Sequence, residues 1–438
     1  MKGKTGENNF PLIISLIFTY ETEKKQTEKH LWIIKRLKKD EKTDMSIGIL
    51  FESSETDEKG IKMTAEQMGI ELIYIPFRKV AVRLDEHGYN IKTKSKDYTQ
   101  VLKDIQVVLN RAQSKNRRLF AANILEAFSK HVINPQCVEY ACFSKLRTLL
   151  HFWKAGIKTP ETVYVPVDSN EKTLDGREVH NEGDIADLLQ LELDHENIVI
   201  KPDAGTHGKD VQLAKERDDL LAILREIQPS IINPVGVLAQ KLVQKWFYDL
   251  RIIVTKEDGK PPYCYPTALA RAGFKDFRTN TFLGNMVVGV NLPSHIREVS
   301  AKCGRAMGGD SRAYLLAFDA MIGVNENRDV NDEYLIGEFE KLEPSFDSVK
   351  KVKRDKTKRT SFPEWNKKLE AAFEHYKSQE AYLNIKDIIE DSMEKNKHNI
   401  MFHEANACPE FWEQTRLAAG INLAEPLLKG AQSIIDSE

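Results

Sequence analysis

Three oxygen-bearing side chains stand at positions in this sequence where they could bind a metal ion. Glu404 and Asn406 are two residues apart in the run Ile-Met-Phe-His-Glu-Ala-Asn, and Asp319 lies in the apolar run Leu-Ala-Phe-Asp-Ala-Met. Because residues two apart on a strand project from one face, Glu404 and Asn406 are expected to point together and His403 away from them. Such oxygen ligands suit Mg²⁺, which bridges substrate phosphates. Taken singly, each residue is also compatible with an ordinary polar side chain at a strand end.

A second pattern predicts a site for phosphate. A β-branched run ends at Lys201, a loop with Gly205 and Gly208 follows, and a second alternating run begins at Val211. Glycines allow backbone amides to approach an anion, and Lys201 supplies a fixed cation. The spacing is not that of a Walker motif. On its own, the segment is equally compatible with a plain hairpin.

A third cluster is cationic. Arg271 ends a predicted strand, and Arg278 and Asn280 lie in the loop that follows. Arginine binds carboxylate or phosphate oxygens in a bidentate manner. A solvated turn is the alternative.

The elements that must position these residues begin with an alternation of strands and helices. Strands are predicted at 12–19, 46–51, 71–75 and 105–109, and helices at 28–38, around 63–68 and at 119–130. This alternation is typical of an open, mostly parallel sheet. Asn110 and Arg111 follow the last of these strands, at the sheet edge where ligands bind in such domains.

The later part of the chain predicts further elements and one inserted segment. Helices are predicted at 144–155, with Ser144 as N-cap and Gly156 as stop, and at 294–307, and strands at 238–240, 250–255, 263–271, 314–322 and 400–406. Charges dominate from about residue 325 to 399, including a basic run at 350–359. Trp365, Leu369, Phe373 and Tyr376 follow at helical spacing. We interpret this segment as a solvent-facing insertion with a disordered basic loop, in preference to a site that recruits an acidic substrate.

Composition limits the class of protein. The chain has 438 residues and a formal net charge of −2. Its overall electrostatic field therefore does not indicate nucleic acid or an anionic membrane as a binding partner. Its five cysteines include no Cys-x-x-Cys pair, which favours a reducing, cytoplasmic setting. The early apolar run 11–18 is too short to cross a membrane and is interpreted as a buried strand rather than a signal peptide.

From about residue 110 to 424 the ordered set of motifs resembles an ATP-grasp ligase. The branch it resembles includes the ribosomal-protein glutamate ligase, the lysine-biosynthesis carrier-protein ligase and N-acetylaspartylglutamate synthase. The motifs that carry the resemblance are Phe-Ser-Lys-Leu-Arg at 143–147, Gly-Ile-Lys-Thr-Pro at 156–160, Ile-Lys-Pro at 200–202 with Gly-Thr-His-Gly at 205–208, Phe-Arg-Thr-Asn at 277–280, Phe-Asp at 318–319, Glu-Ala-Asn at 404–406 and Gly-Ile-Asn-Leu-Ala at 420–424.

The resemblance implies a mixed α/β (α+β) ATP-grasp fold. An N-terminal open parallel-sheet domain would occupy 1–138 and a central lid subdomain 139–237. A C-terminal antiparallel-sheet subdomain would occupy 238–438, with the charged insertion at about 325–398. ATP would lie between the last two.

The resemblance also implies roles for individual residues. Arg278, Arg271 and Asn280 would be catalytic, and Asp319, Glu404 and Asn406 would hold two Mg²⁺ ions, with Mn²⁺ as a substitute. The residues implied to bind ATP are Lys145, Lys201, Gly205, Thr206, His207, Gly208, Gln240, Lys241, Leu242, Val243 and Asp249. The glycine segment would act as a movable flap.

The implied reaction joins a carboxylate to an amine through an acyl phosphate, releasing ADP and phosphate. The substrates stay open among an amino acid, a peptide or protein tail and a carrier protein, and so does a homo-oligomer; no nucleic acid or membrane partner is expected. Lys241 departs from the glutamate usual in the family, the loop 407–412 is bulkier, and roughly seventy extra residues separate Asp319 from Glu404. The alternatives are an ATP-grasp small-molecule kinase, similar to inositol phosphate kinases, and a non-catalytic ATP-binding module.

Overall fold

The structure is a computed structural model that describes residues 46–52, 55–194, 197–205, 210–227, 236–274, 278, 285–324, 330–355 and 361–438. The predicted strand 12–19 and helix 28–38 lie outside these ranges, as do Thr206, His207, Gly208 and Asn280.

The first sheet is parallel, as the alternation of strands and helices predicts. Its strands are β1 (Ser46–Phe51), β2 (Glu71–Pro76), β5 (Val107–Arg111) and β6 (His131–Ile133), in the order β2-β1-β5-β6. The helices are α1 (Thr56–Met68), α2 (Thr99–Asp104), α3 (Lys115–Ala127) and α4 (Gln136–Ala141), and a hairpin of β3 (Ala81–Asp85) and β4 (Gly88–Lys92) lies between β2 and α2. Strand β5 is buried along its whole length, as a strand covered on both faces requires.

The second sheet is small and antiparallel. It contains β7 (Thr162–Val165), β8 (Ile198–Lys201), β9 (Gln212–Ala214) and β10 (Val237–Lys241), in the order β7-β10-β8-β9. Helices α6 (Glu182–Glu192) and α7 (Arg217–Glu226) cover it and share its apolar core. Helix α5 (Lys145–Lys154) precedes the sheet; as predicted, Ser144 Oγ accepts from the Arg147 amide at 3.0 Å, and Gly156 follows with φ of 61°.

The third sheet is antiparallel and forms the centre of the largest core. Its strands are β11 (Tyr248–Lys256), β13 (Thr267–Ala272), β14 (Met286–Asn291), β15 (Tyr314–Ile322) and β16 (Ile400–Asn406), in the order β14-β13-β11-β15-β16, with β12 (Tyr263–Cys264) paired to β11. Helix α8 (Ser294–Gly308) packs against β11 and β15. The predicted strand 263–271 is therefore two strands separated by Tyr265 and Pro266. The three sheets together confirm the predicted fold class.

The inserted segment is not the solvent-facing arm that its charge suggests. It forms α9 (Asp332–Arg354), α10 (Phe362–Lys377) and α11 (Glu380–Asn396), which pack on one another. Their apolar stripes bury a continuous set of side chains: Leu335, Leu342, Val349, Trp365, Leu369, Phe373, Tyr376, Ile385, Ile389 and Met393. The prediction of a solvent-facing segment was wrong because charge dominates the average composition while the apolar residues keep a helical period, and such a stripe must be buried. Of the predicted disordered basic loop, residues 350–354 belong to α9, and residues 356–359 lie outside the described ranges.

The inserted helices cover the edge strand of the third sheet. The Tyr376 hydroxyl donates to the Val287 carbonyl at 3.0 Å, and the Gly289 amide donates to the Tyr382 hydroxyl at 2.8 Å. Two further helices, α12 (Thr415–Ala419) and α13 (Ala424–Ile435), end the chain. None of the helices in the described ranges has the length and apolar character needed to cross a bilayer.

Candidate active site

A single cavity of about 630 Å³ lies where the three sheets meet. Every predicted site residue in the described ranges lines it: Lys145, Lys201, Gly205, Gln240, Lys241, Leu242, Val243, Asp249, Arg271, Arg278, Asp319, Glu404 and Asn406. The remaining predicted residues, Thr206, His207, Gly208 and Asn280, lie outside the described ranges. The fold thus gathers residues that are up to 261 positions apart, from Lys145 to Asn406.

Asp319 and Glu404 occupy directly opposed positions on β15 and β16. Arg251 donates to both Asp319 oxygens, Nε to Oδ1 and Nη2 to Oδ2, each at 2.9 Å, and Arg271 Nη2 lies 3.3 Å from Oδ1. Burial alone would raise the pKa of Asp319, but Arg251 and Arg271 hold it well below its usual value. Asp319 is therefore an ionised carboxylate although it is only 3 % exposed.

Glu404 is a second ionised carboxylate in the same wall. Burial opposes its charge, but Lys145 and Lys115 lower the pKa of its carboxyl below the ordinary value. Asn406 faces the same cavity, and its Nδ2 is buried without a hydrogen-bond partner in the described structure. Glu404 and Asn406 thus share a face, as their spacing predicts.

This donor set can be tested against the chemistry of Mg²⁺. In the described part of the chain, no group of three or more His, Cys, Asp or Glu residues is arranged to hold a metal with protein ligands alone. Two carboxylates and one amide oxygen are nevertheless sufficient for Mg²⁺, because this ion usually keeps waters and takes substrate phosphates as its other ligands. The residues present fit a phosphate-bridging metal better than a closed structural site.

His403 also lines this cavity, so the prediction that it points away from Glu404 was wrong. The register between β15 and β16 shifts between Asp319 and Ala320: Asp319 is opposite Glu404, whereas Ala320 is opposite Phe402. His403 is the extra residue of this β-bulge, and strict alternation does not apply to it. Burial, followed by the charge of Lys201, lowers the pKa of His403 to about 4, so its ring is neutral near pH 7.

Lys145, which is buried, and Lys201, which is half-buried, form another wall of the cavity. Lys145 Nζ donates to the carbonyls of Pro202 at 3.0 Å and Gly205 at 2.9 Å, so the start of α5 holds the start of the glycine segment. Burial lowers the pKa of Lys145. Burial and the neighbouring charge of Lys145 lower the pKa of Lys201 to about 8. The two neighbouring cations in this wall are suited to an anionic ligand.

The connection from β10 to β11 supplies the edge of the cavity. The amides of Lys241 and Leu242 donate to the carbonyls of Glu161 at 3.0 Å and Asn197 at 2.9 Å, which fixes the path of the backbone. Farther along, Lys245 Nζ lies 2.6 Å from Asp249 Oδ1. Despite burial, this lysine and Arg271 lower the pKa of Asp249.

Arg278 joins the second and third sheets across the cavity. Its Nη1 donates to the carbonyl of Val211 at 3.3 Å, next to β9, and its own carbonyl accepts from Asn285 Nδ2 at 3.2 Å. Arg278 therefore lines the cavity beside Val211, which follows the predicted phosphate segment in the chain.

The cavity also has an end that the predicted site residues do not include. Strand β5 of the first sheet contributes Arg111, helices α1 and α3 contribute Asp57 and Arg118, and the loop after β16 contributes Cys408 and Glu410. Arg111 Nη2 lies 3.0 Å from Asp57 Oδ2, and burial raises the pKa of Asp57 to about 6. The position of Arg111 at the carboxyl end of a parallel strand did indicate a ligand site, whereas Asp57 carries no comparable signal in the sequence.

The chain matches known proteins in sequence and in fold. Residues 167–322 match the family described as the RimK-like ATP-grasp domain. The chain is 25% identical over 266 residues to the α-aminoadipate–LysW ligase LysX of Sulfurisphaera tokodaii, covering 60% of this chain and 82% of that protein. It is 24% identical over 209 residues to the coenzyme γ-F420-2:α-L-glutamate ligase of Methanococcus maripaludis, covering 45% of this chain and 60% of that protein.

Solved structures show the same fold. The macrocyclase MdnC of Microcystis aeruginosa, bound with the precursor peptide MdnA, superposes with a TM-score of 0.50 at 12% identity and covers 90% of this chain and 100% of that one. The D-cycloserine synthetase DcsG gives a TM-score of 0.50 at 12% identity, with 90% and 99% covered.

Proposed function

We infer that this chain is an ATP-dependent carboxylate–amine ligase, which joins an amino acid or peptide carboxylate to an amine through an acyl phosphate. The match of residues 167–322 to the RimK-like ATP-grasp domain and the similarity to LysX support this inference. The observation that carries this proposal is the pair Asp319 and Glu404, two ionised carboxylates opposed across two strands, in one cavity with Lys145 and Lys201. Opposite charges on facing walls suit a metal-bound polyphosphate.

The proposed reaction has two steps. A carboxylate oxygen of the first substrate attacks the γ-phosphorus of ATP, and the bond between that phosphorus and the β–γ bridging oxygen breaks to release ADP. The amine of the second substrate then attacks the acyl carbon, loses a proton and expels inorganic phosphate. The product is an amide, and one ATP is converted to ADP and phosphate.

We assign the nucleotide to the walls built by the second and third sheets. Lys145 and Lys201 would neutralise phosphate oxygens, and the segment Gln240 to Val243 would border the base. Arg278 and Arg271 would offset the charge of the transferring phosphoryl group. Asp319, Glu404 and Asn406 would hold Mg²⁺, which supplies electrostatic stabilisation of phosphate oxygens when it is bound.

The relatives indicate the class of the other substrates. The two sequence relatives are ligases named for amino acids, one of them with the protein LysW and the other with a coenzyme. We therefore propose an amino acid as one substrate of this chain, with a peptide or a carrier-protein tail as the alternative acceptor or donor. The end of the cavity between the first sheet and the loop after β16 would receive both.

The proposal is tested by screening amino acids in pairs for ADP release in the presence of Mg²⁺. For the active carboxylate, hydroxylamine with ATP should trap a hydroxamate. Glu404→Gln and Asp319→Asn should each lower turnover by at least about a hundredfold, since each removes a charge that binds the metal. Glu394→Gln, on the exposed face of α11, is the matched control and should retain turnover.

Two outcomes would overturn the proposal. Transfer of the γ-phosphoryl group to a hydroxyl, with no hydroxamate, would identify a kinase. Nucleotide binding without ADP formation across the whole screen would identify a non-catalytic ATP-binding module.

A further inference from the structure

The loop between β16 and α12, residues 407–414, is here called the substrate loop. It directly follows Asn406, and its residues Cys408, Pro409, Glu410 and Gln414 line the cavity. The same end of the cavity is lined by Asp57 of α1 and Arg111 of β5. The position of the substrate loop therefore sets the shape of the end that the proposed function assigns to the carboxylate and the amine.

Helix α1 holds the substrate loop from one side. Asp57 Oδ1 accepts from the amides of Phe411 at 3.3 Å and Trp412 at 2.9 Å, and Thr56 Oγ1 donates to Glu413 Oε1 at 3.0 Å. The ring of Trp412 lies directly on Gly60 of α1, where an added Cβ would stand 2.0 Å from a ring carbon. This contact requires a glycine, so the loop and α1 are closely fitted.

The inserted helices hold the substrate loop from the other side. Trp412 Nε1 donates to Asn366 Oδ1 of α10 at 2.9 Å, and Arg416 Nη2 donates to the same oxygen at 2.7 Å. Lys353 Nζ of α9 lies 3.1 Å from Glu413 Oε2. Asn366 is also fixed in orientation, because its Nδ2 donates to Glu370 Oε1 at 2.9 Å.

These contacts are buried, which makes them costly to lose. Trp412 and Glu413 are each 1 % exposed, and Asn366 is 5 % exposed. Removing the acceptor of a buried indole N–H, or one of the partners of a buried carboxylate, weakens the compensation of a buried polar group. The wall that contains Lys145 and Lys201, which we assign to the nucleotide, does not depend on these contacts. It is anchored by the bonds from Lys145 to Pro202 and Gly205.

We propose that the inserted helices are a specificity element of the enzyme, in which Asn366 and Lys353 are positioning residues that fix the substrate loop and thereby the end of the cavity that selects the carboxylate and amine. The proposal rests on the proposed function for the assignment of that end. It explains why the charged segment is packed as a helical unit against Trp412 and Glu413 instead of projecting from the molecule.

The test compares matched variants of the full chain. Asn366→Leu and Lys353→Met each remove one contact to the loop. Asn384→Leu and Lys350→Met remove the bonds to Glu338 and Asp347, which lie within the inserted helices. Amide hydrogen exchange of peptides spanning 407–414 is measured for each, together with the affinity for ADP with Mg²⁺.

In both loop variants, exchange across 407–414 should accelerate by about tenfold, while ADP affinity changes by less than about twofold. The two control variants should leave exchange in the loop unchanged. In the pairwise screen, the loop variants should raise KM for the amino acid substrates by about tenfold, with KM for ATP unchanged.

Unchanged loop exchange in both loop variants, or an equal loss of ADP affinity, would overturn this proposal. Because exchange and ADP binding need no turnover, they report on the loop even if the ligase reaction itself is disproved. Accelerated exchange with unchanged KM for both amino acid substrates would also overturn it, since the loop would then be held by the helices without selecting the substrate. Lys353→Met keeps the test valid if Asn366→Leu does not fold.

Discussion

Asp319 and Glu404 are direct partners across β15 and β16, and the register of the two strands shifts by one residue immediately beyond them. Without this bulge, Phe402 and Glu404 would be two apart on a regular strand and would share a face. With it, Phe402 is fully buried beside Phe152 and Phe318, while Glu404 faces the cavity. The bulge thus lets one strand serve both the apolar core and a charged site.

The bidentate pair of Arg251 with Asp319 should contribute strongly to stability. Arg251→Met would leave Asp319 with Arg271 as its main compensating charge, and we expect the free energy of unfolding to fall by about 3 kcal/mol. Urea denaturation measures this change. The matched control is Arg83→Met, whose pair with Asp85 is exposed and should matter by less than about 1 kcal/mol. Equal effects of the two substitutions on the free energy of unfolding would contradict the assignment of Arg251 and Asp319 as a strongly stabilising ion pair.

Lys201 should take up protons when nucleotide binds. Its pKa in the free protein is about 8, below the ordinary 10.5, and a polyphosphate nearby favours the charged form. At pH 8, ADP binding should therefore be accompanied by proton uptake, seen as binding heats that differ between buffers of different ionisation enthalpy. Lys201→Met should lose most of this uptake, whereas an unaltered dependence on buffer would show that another group titrates.

The lowered pKa of Lys201 also makes the stability of the folded protein depend on pH. Between about pH 8 and 10.5 the unfolded chain keeps the Lys201 proton and the folded protein does not. Stability from this group therefore rises as the pH increases through that window, and the penalty of the buried cation is fully present below it. Lys201→Met should remove this rise in urea denaturation measured from pH 8 to 10. A wild-type rise that persists in the variant would argue against Lys201 as its source.

Gly60 should be intolerant of any side chain. In Gly60→Ala the new Cβ would meet the ring of Trp412, and we expect a loss of roughly 1–3 kcal/mol in unfolding free energy. Gly337→Ala is the matched control, because Gly337 lies in helix α9 and an added Cβ there has no neighbour within 4 Å. That substitution should instead stabilise by about 0.5–1 kcal/mol. A neutral Gly60→Ala would show that the substrate loop can move away without cost.

Lys145 should support nucleotide binding through the backbone as well as through its charge. Lys145→Met leaves the carbonyls of Pro202 and Gly205 without their donor, so we expect KM for ATP to rise by at least about tenfold. Lys154→Met, on the exposed side of the same helix, should leave KM unchanged. If Lys145→Met lowers kcat alone, its role is in chemistry rather than in placing the glycine segment.

Local patterns in the sequence were sufficient for much of the fold. The strands at 314–322 and 400–406 begin and end where their apolar runs do, and helix α5 starts at its Ser144 cap and ends before Gly156. The side chains proposed for phosphate and metal chemistry were also recognisable, because lysine beside a glycine loop and paired oxygen ligands on a strand are short-range patterns. Their roles stay predictions until the variants are measured.

What the sequence by itself determined is most strands of the first and third sheets and the chemical character of the predicted residues that line the cavity, since both depend on residues close together in the chain. Only the tertiary structure decided that His403 is a bulge residue facing that cavity, because register depends on the partner strand. Only the tertiary structure showed that the inserted helices reach the substrate loop, because the bond from Trp412 to Asn366 joins residues 46 positions apart. Long-range packing of this kind depends on the shape of the whole molecule, and no local pattern contains it.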